Sequence, residues 1–235
     1  MAGRHRPRHI KRDSARAACR YALRMAGNRR DFARSMDDIE AKVIELFAMI
    51  AEDLPAATQA LLGGGQETVT ALAEREQVID ALYVEIEQLA GREILLQAPV
   101  GSDLRFLLTV LRVVPELERS HDLVMDVAAR AGRIHDTDLS AGSRELARRM
   151  ADLASRMWRQ AVDAWYSRDR TAVAVMAAGN AEMAELHASM TAEIASGQMP
   201  VRATMEMTLA ARDYERLGAH ALNIARRVAY LAGRG

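Results

Sequence analysis

From Asp31 onward, apolar residues recur at intervals of three and four, the spacing that gathers them on one face of an α-helix. Phe32, Met36, Ile39, Val43, Leu46 and Ile50 form the first such stripe. Pro55 is expected to kink or end that helix, because its ring removes an amide donor and clashes with the preceding turn. Gly63-Gly64-Gly65 then closes the segment. A second helix, about residues 68–97, carries Leu72, Ile79, Leu82, Ile86 and Leu89 and stops before Pro99. A third, about residues 102–134, carries Val110, Val113, Leu117, Val124 and Val127. After a polar loop the scheme repeats. Leu146, Met150, Leu153, Met157 and Ala164 mark a fourth helix, and Met176, Met183, Leu186, Met190 and Ile194 a fifth. Met207, Ala210, Tyr214, Leu217, Ala221, Ile224, Val228 and Leu231 mark a sixth. Strand-like alternation is nowhere sustained. The pattern predicts an all-α fold of two tandem three-helix bundles packed by coiled-coil-like seams, spanning residues 29–135 and 143–232.

The third and sixth helices align without a gap at an offset of 97 residues. Glu116-Leu117-Glu118-Arg119 falls on Asp213-Tyr214-Glu215-Arg216, and Asp126, Ala128 and Arg130 fall on Asn223, Ala225 and Arg227. Shared apolar spacing is common to amphipathic helices; a shared acidic–apolar–Glu–Arg block at the same phase points to duplication of a three-helix unit.

Composition narrows the chemistry. Aromatic residues make up only 4% of the 235, so the core must be built from Leu, Val, Ile, Met and Ala, as suits packed helices. A single cysteine, Cys19, leaves no internal disulfide and no cysteine zinc site. No apolar run reaches the roughly 20 residues that span a bilayer, and no signal-peptide core is present. The expectation is a cytoplasmic helical protein. The zero net charge conceals a split: residues 1–30 hold ten Lys and Arg against one acid, which leaves 22 basic and 31 acidic side chains in the body. Of the two lysines, Lys11 and Lys42, neither follows a glycine, so a phosphate-cradling P-loop is excluded, and GxSxG, HExxH and GxGxxG do not occur.

Candidate chemistry lies on the third helix. Glu118, Asp122 and Asp126 stand at i, i+4 and i+8, one position past the core stripe, and so stack along the bundle's rim. Each like-charge pair at i, i+4 costs about 0.2–0.5 kcal/mol, which favours a cation there. Oxygen ligands without cysteine suit Mg²⁺, Mn²⁺, Ca²⁺ or iron. The competing expectation is that Arg119 and Arg130 neutralise a solvated face. Glu118 and His121 also form one Glu-x-x-His pair, half of a di-iron bundle motif, but the chain holds no second copy.

The stretch Gln97-Ala98-Pro99-Val100-Gly101-Ser102-Asp103-Leu104-Arg105, followed by Glu116-Leu117-Glu118-Arg119-Ser120-His121-Asp122, resembles the PhoU family. That family carries a Leu-Glu-Arg-Ile-Gly-Asp block in each half. Tyr214-Glu215-Arg216-Leu217-Gly218-Ala219-His220-Ala221-Leu222-Asn223-Ile224-Ala225 is similar to the second block, and the resemblance covers about residues 29–231. It implies a non-enzymatic, cytoplasmic negative regulator of phosphate uptake and of the phosphate-starvation response. The implied partners are the phosphate ABC transporter ATPase subunit, a sensor histidine kinase and a second copy of the chain. No nucleic acid is implied, and membrane contact would come only through partners. The resemblance also implies a divalent metal (Mg, Mn, Fe or Zn) on Glu118, Asp122, Asp126, Glu215 and Asn223. Arg105, Arg119 and Arg216 are candidate partner contacts that intramolecular pairing would equally absorb.

Four departures from the family pattern bear on the site. Ala219 replaces the second stripe's Asp, so a one-metal or metal-poor relative is expected. Pro115 falls inside the third helix, where a kink is expected. Ser120 and His121 replace the usual Ile-Gly, which is expected to reshape the site. The basic leader, residues 1–28, lies outside the resemblance and is expected to be disordered. Arg16, Arg20 and Arg24 share one helical face there, so nucleic acid or an anionic membrane surface are alternative ligands for the leader. A metal-dependent oxidase or storage bundle, or a purely structural dimer, are the remaining alternatives.

Overall fold

The computed structural model describes the backbone of residues 9–233 and the side chains from residue 29 onward, Asp136 excepted. Six helices follow one another: α1 (His9–Gly63), α2 (Gln66–Gln97), α3 (Gly101–Ala129), α4 (Ala141–Ser167), α5 (Ala172–Ala195) and α6 (Val201–Leu231). Two 3₁₀ turns, Arg130–Arg133 and Asp136–Asp138, link the halves. The fold is all-α: α1, α2 and α3 pack mutually, as do α4, α5 and α6. The two bundles join along α3–α6 and α1–α4.

The predicted stripes are the core. Ile39, Val43, Leu46 and Ile50 are fully buried, as are Val110, Val113, Leu117, Val124 and Val127. Each such side chain removed from water contributes about 1.5–3 kcal/mol. The methionines Met150, Met157, Met176, Met183, Met190 and Met207 fill the second half, where a flexible thioether suits an irregular gap. Gly179 on α5 faces Met157; a Cβ there would stand 3.2 Å from its Cγ, so glycine permits this approach of α5 to α4.

One expectation about a helix end is corrected. Pro55 does not end α1, which runs on to Gly63. Leu54, Ala57 and Leu61 continue the buried face past the proline, so tertiary packing outweighs one missing amide donor. α1 starts at His9, within the basic leader. Its alanines and arginines are strong helix formers. The leader's side chains, and with them the face formed by Arg16, Arg20 and Arg24, lie outside the described residues. Pro115 likewise stands within an α3 that runs unbroken.

The halves are tied by specific side chains. Phe47 of α1 packs against Trp158 and Trp165 of α4, with ring centroids 6.2 and 6.0 Å apart. Tyr214 of α6 and Thr58 of α1 share a buried hydrogen bond of 2.8 Å. Arg168, in the left-handed region at φ 55°, caps α4 and donates to Trp165 O at 2.7 Å and to Glu40 of α1 at 2.6 Å. Its guanidinium also lies over the Trp165 ring, 4.9 Å from the centroid.

Candidate functional site

Glu118 and Asp122 lie toward α2, which meets them with more negative charge, and Asp126 continues the line as an exposed carboxylate whose charge also acts on Asp213 of α6. Burial and then the neighbouring Asp122 push the Glu118 carboxyl above its usual value, with Asp80 and Glu87 of α2 adding to the rise and Arg119 opposing it. Burial also raises Asp122; His121 opposes this, and Asp80 and Asp126 reinforce it. The Tyr83 phenol between them is pushed up by burial, by its hydrogen bond to Glu87 and by the charge of Glu118. The result is an acidic seam between two helices.

Arg119 lowers the charge felt at Glu118, but among the described residues neither Arg119 nor Arg130 forms an ion pair with the stripe. Arg119 pairs with Glu116, at 3.7 Å. Arg130 is buried and turned inward, with Nη2 at 2.5 Å from Asp213 Oδ2 of α6 and Nη1 at 3.7 Å from Glu206. Arg130 stands three residues past buried Val127 and seven past buried Leu123, so helical spacing itself places it on the buried face. Among the described residues, Glu118, Asp122 and Asp126 form no ion pair.

The equivalent stripe on α6 differs. Glu215 accepts from Arg212 at 2.5 Å, Asn223 Oδ1 accepts from Arg226 at 3.3 Å, and Ala219 between them offers no ligand atom. Oxygens already engaged by guanidinium groups on an alanine-interrupted stripe do not fit a metal. The α3 seam is a better match: its carboxylates are unpaired, oxygen-only and mutually repelling, as a hard cation requires. Among the described residues, however, no three His, Cys, Asp or Glu side chains converge on one point. The seam is an open carboxylate ridge rather than a closed cage.

Behind the ridge lies a buried polar network that sequence reasoning missed. His121, which the offset of 97 places opposite Gly218, needs room that the second half does not provide at this position. Its side chain is 2% exposed and turns toward α1, with Nε2 3.4 Å from Asp53 Oδ2; Asp53 Oδ1 in turn accepts from Arg75 of α2 at 2.7 Å. His121 is thus buried beside Asp53 rather than on the rim beside Glu118, and His121 Nε2 and Asp53 Oδ2 make no hydrogen bond among the described residues. Ser120 Oγ donates to Glu116 O at 2.5 Å and lies 2.9 Å from His220 Nδ1 on α6. The substitution of Ser-His for Ile-Gly therefore builds polar contacts behind the stripe. Burial lowers the His220 pKa, with Glu116 opposing the shift. Among the candidate partner contacts, Arg119 is half-exposed and paired, Arg105 lies against the Gly233 backbone, and Arg216 is exposed.

Residues 43–131 and 147–228 each match the PhoU domain. The chain belongs to the PhoU family. A phosphate-specific transport system accessory protein PhoU homolog of Synechocystis sp. is 30% identical over 204 residues, covering 85% of this chain and 90% of that protein. PhoU homolog 2 of Mycobacterium tuberculosis is 26% identical over 204 residues, covering 86% and 96%. In fold, the chain is similar to PhoU of Pseudomonas aeruginosa (TM-score 0.80, 22% identity, 85% of this chain and 98% of that one). It is equally similar to the phosphate transport system regulatory protein PhoU of Streptococcus pneumoniae (TM-score 0.78, 20% identity, 86% and 97%). The two PhoU matches fall one in each bundle, with the acidic ridge inside the first. Among the described residues, no helix is long and apolar enough to cross a membrane.

Proposed function

We propose that this PhoU-family protein is a regulatory accessory protein of phosphate transport. It acts in the cytoplasm, by contact and without catalysis, on the phosphate ABC transporter ATPase subunit and on a sensor histidine kinase. In that role it holds phosphate uptake and the starvation response in check when phosphate is plentiful. The observation that carries this reading is the ridge of Glu118, Asp122 and Asp126, without ion pairs among the described residues, on a chain with two PhoU matches. Such a ridge is a charge-complementary docking surface, and it doubles as a regulatory switch if a cation occupies it.

Glu118 and Asp122 are the residues that would hold a divalent cation, and Asp126 extends the ridge. The cation would supply charge neutralisation. The chain's own residues set the surface: Tyr83 and Glu87 fix its α2 edge, and the Asp53–Arg75 ion pair ties α2 to α1. Glu215 and Asn223 serve the second half as surface partners of Arg212 and Arg226. Arg216 is the candidate contact for an acidic partner surface, and dimerisation would present two ridges to one assembly.

The test is co-purification of the tagged chain with the transporter ATPase and the sensor kinase from cells grown in high and low phosphate. Capture of either in high phosphate, reduced at least tenfold by Glu118→Lys with Asp122→Lys, is the expected result. Equal capture by the variant would remove the ridge from the account.

A further inference from the structure

A cleft of about 610 Å³ lies between α1 and α4, where the two bundles meet. Its floor is apolar, formed by Pro55, Leu62 and Ala151, and its wall is basic: Arg148, Arg156 and Arg159 line it from α4. These three stand at i, i+8 and i+11, a span of roughly 16 Å along one helical face. In a body that is acidic overall, such a concentration of one sign is a local inversion of charge.

Two further observations point to a ligand. Arg148 and Arg159 form no ion pair among the described residues, and Arg156 reaches only the exposed Glu182 at 3.7 Å. Their guanidinium donors are thus available to an incoming anion. Ser155, 7% exposed and therefore more than nine-tenths buried, lines the cleft with a hydroxyl that has no hydrogen-bond partner among the described residues. Its oxygen is reached from the cleft, so it is free to bond to what enters there. Asp152, also lining the cleft, subtracts one charge and supplies an acceptor. That acceptor serves a hydroxyl or amine on a larger molecule, while the three arginines remain open to its phosphoryl groups. The volume lies within the range of small-molecule sites of roughly 300–1,000 Å³.

We propose that the α1–α4 cleft binds a phosphorylated small molecule of nucleotide size, its phosphoryl groups held by Arg148, Arg156 and Arg159 and its polar remainder by Ser155 and Asp152. The site lies where the two bundles join, so its occupancy would bias their packing. It is independent of the acidic ridge and of its partners.

The experiment is calorimetric titration of the full chain with ADP at fixed physiological ionic strength, with pyrophosphate as competitor. ADP is expected to bind, pyrophosphate to displace it, and Arg148→Gln with Arg159→Gln to weaken binding at least tenfold. Both arginines are exposed, so that variant should retain its helical circular dichroism; Ser155→Ala, a milder change, should weaken binding severalfold without altering the fold. Absence of ADP binding, failure of pyrophosphate to compete, or undiminished affinity in the double variant would overturn the proposal. The co-purification test of the ridge is unaffected by any of these results.

Discussion

At the scale of single residues, the two kinds of charge in this protein behave oppositely. Arg130 and Asp213 are buried against each other, and Glu206 completes the cluster. Removing one member leaves a buried charge without its partner, which costs about 3–5 kcal/mol. Arg130→Met should therefore destabilise the chain by that amount in urea unfolding, and adding Asp213→Leu should recover part of the loss. The ridge carboxylates are strained by like charge instead. Because burial and neighbouring acids hold Glu118 and Asp122 above their ordinary values of 4.5 and 3.8, the folded chain binds their protons more tightly than the unfolded one does. Their contribution to stability is then fully present below those ordinary values and is lost as pH rises through the raised ones. Glu118→Gln with Asp122→Asn should flatten the fall in stability that metal-free protein shows above about pH 4. A divalent ion, if the ridge holds one, should oppose that fall in the native chain and not in the variant.

Legibility at this scale followed from where each residue sits relative to the helical phase. Glu118, Asp122 and Asp126 were readable as a rim stripe because α3 is regular through them. Arg130 was not, since its spacing from Asp126 suggests a rim pair while its spacing from Leu123 and Val127 places it on the buried face. His121 looked like half of a ligand motif. Its real neighbour, Asp53, is 68 positions away on α1, and no local spacing reveals a contact between helices.

Among the elements, the helices themselves were written plainly in the three-and-four spacing, and the stripe from Met207 to Val228 is buried as the pattern requires. The prolines misled. Pro55 is a local helix breaker inside a helix whose buried face continues beyond it, so the local penalty exists but does not decide the outcome. It follows that Pro55→Ala should stabilise α1 by up to about 3 kcal/mol, the propensity difference between the two residues, as measured by the midpoint and slope of denaturant unfolding. A loss of stability would show that the proline's packing, and not its backbone, is what the position requires.

For the molecule as a whole, duplication accounts for the plan and asymmetry for the chemistry. One half keeps an unpaired carboxylate ridge; the other has lost it at Ala219 and engages what remains with Arg212 and Arg226. The halves are not independent bodies, because Phe47, Trp158, Trp165, Tyr214 and Arg168 interlock across their boundary. Phe47→Ala should cost about 3–5 kcal/mol, and thermal unfolding of the intact chain should remain a single transition by both near- and far-ultraviolet circular dichroism. Two separated transitions would mean that the bundles fold separately. The most direct measurement of the central claim is made in the cell that carries this chain, by following a reporter of the phosphate-starvation response in phosphate-rich medium after the gene is deleted. The account predicts that the reporter switches on, and that the native chain restores repression while Glu118→Lys with Asp122→Lys does not. A reporter that stays silent after deletion, or is silenced equally by the ridge variant, would contradict it.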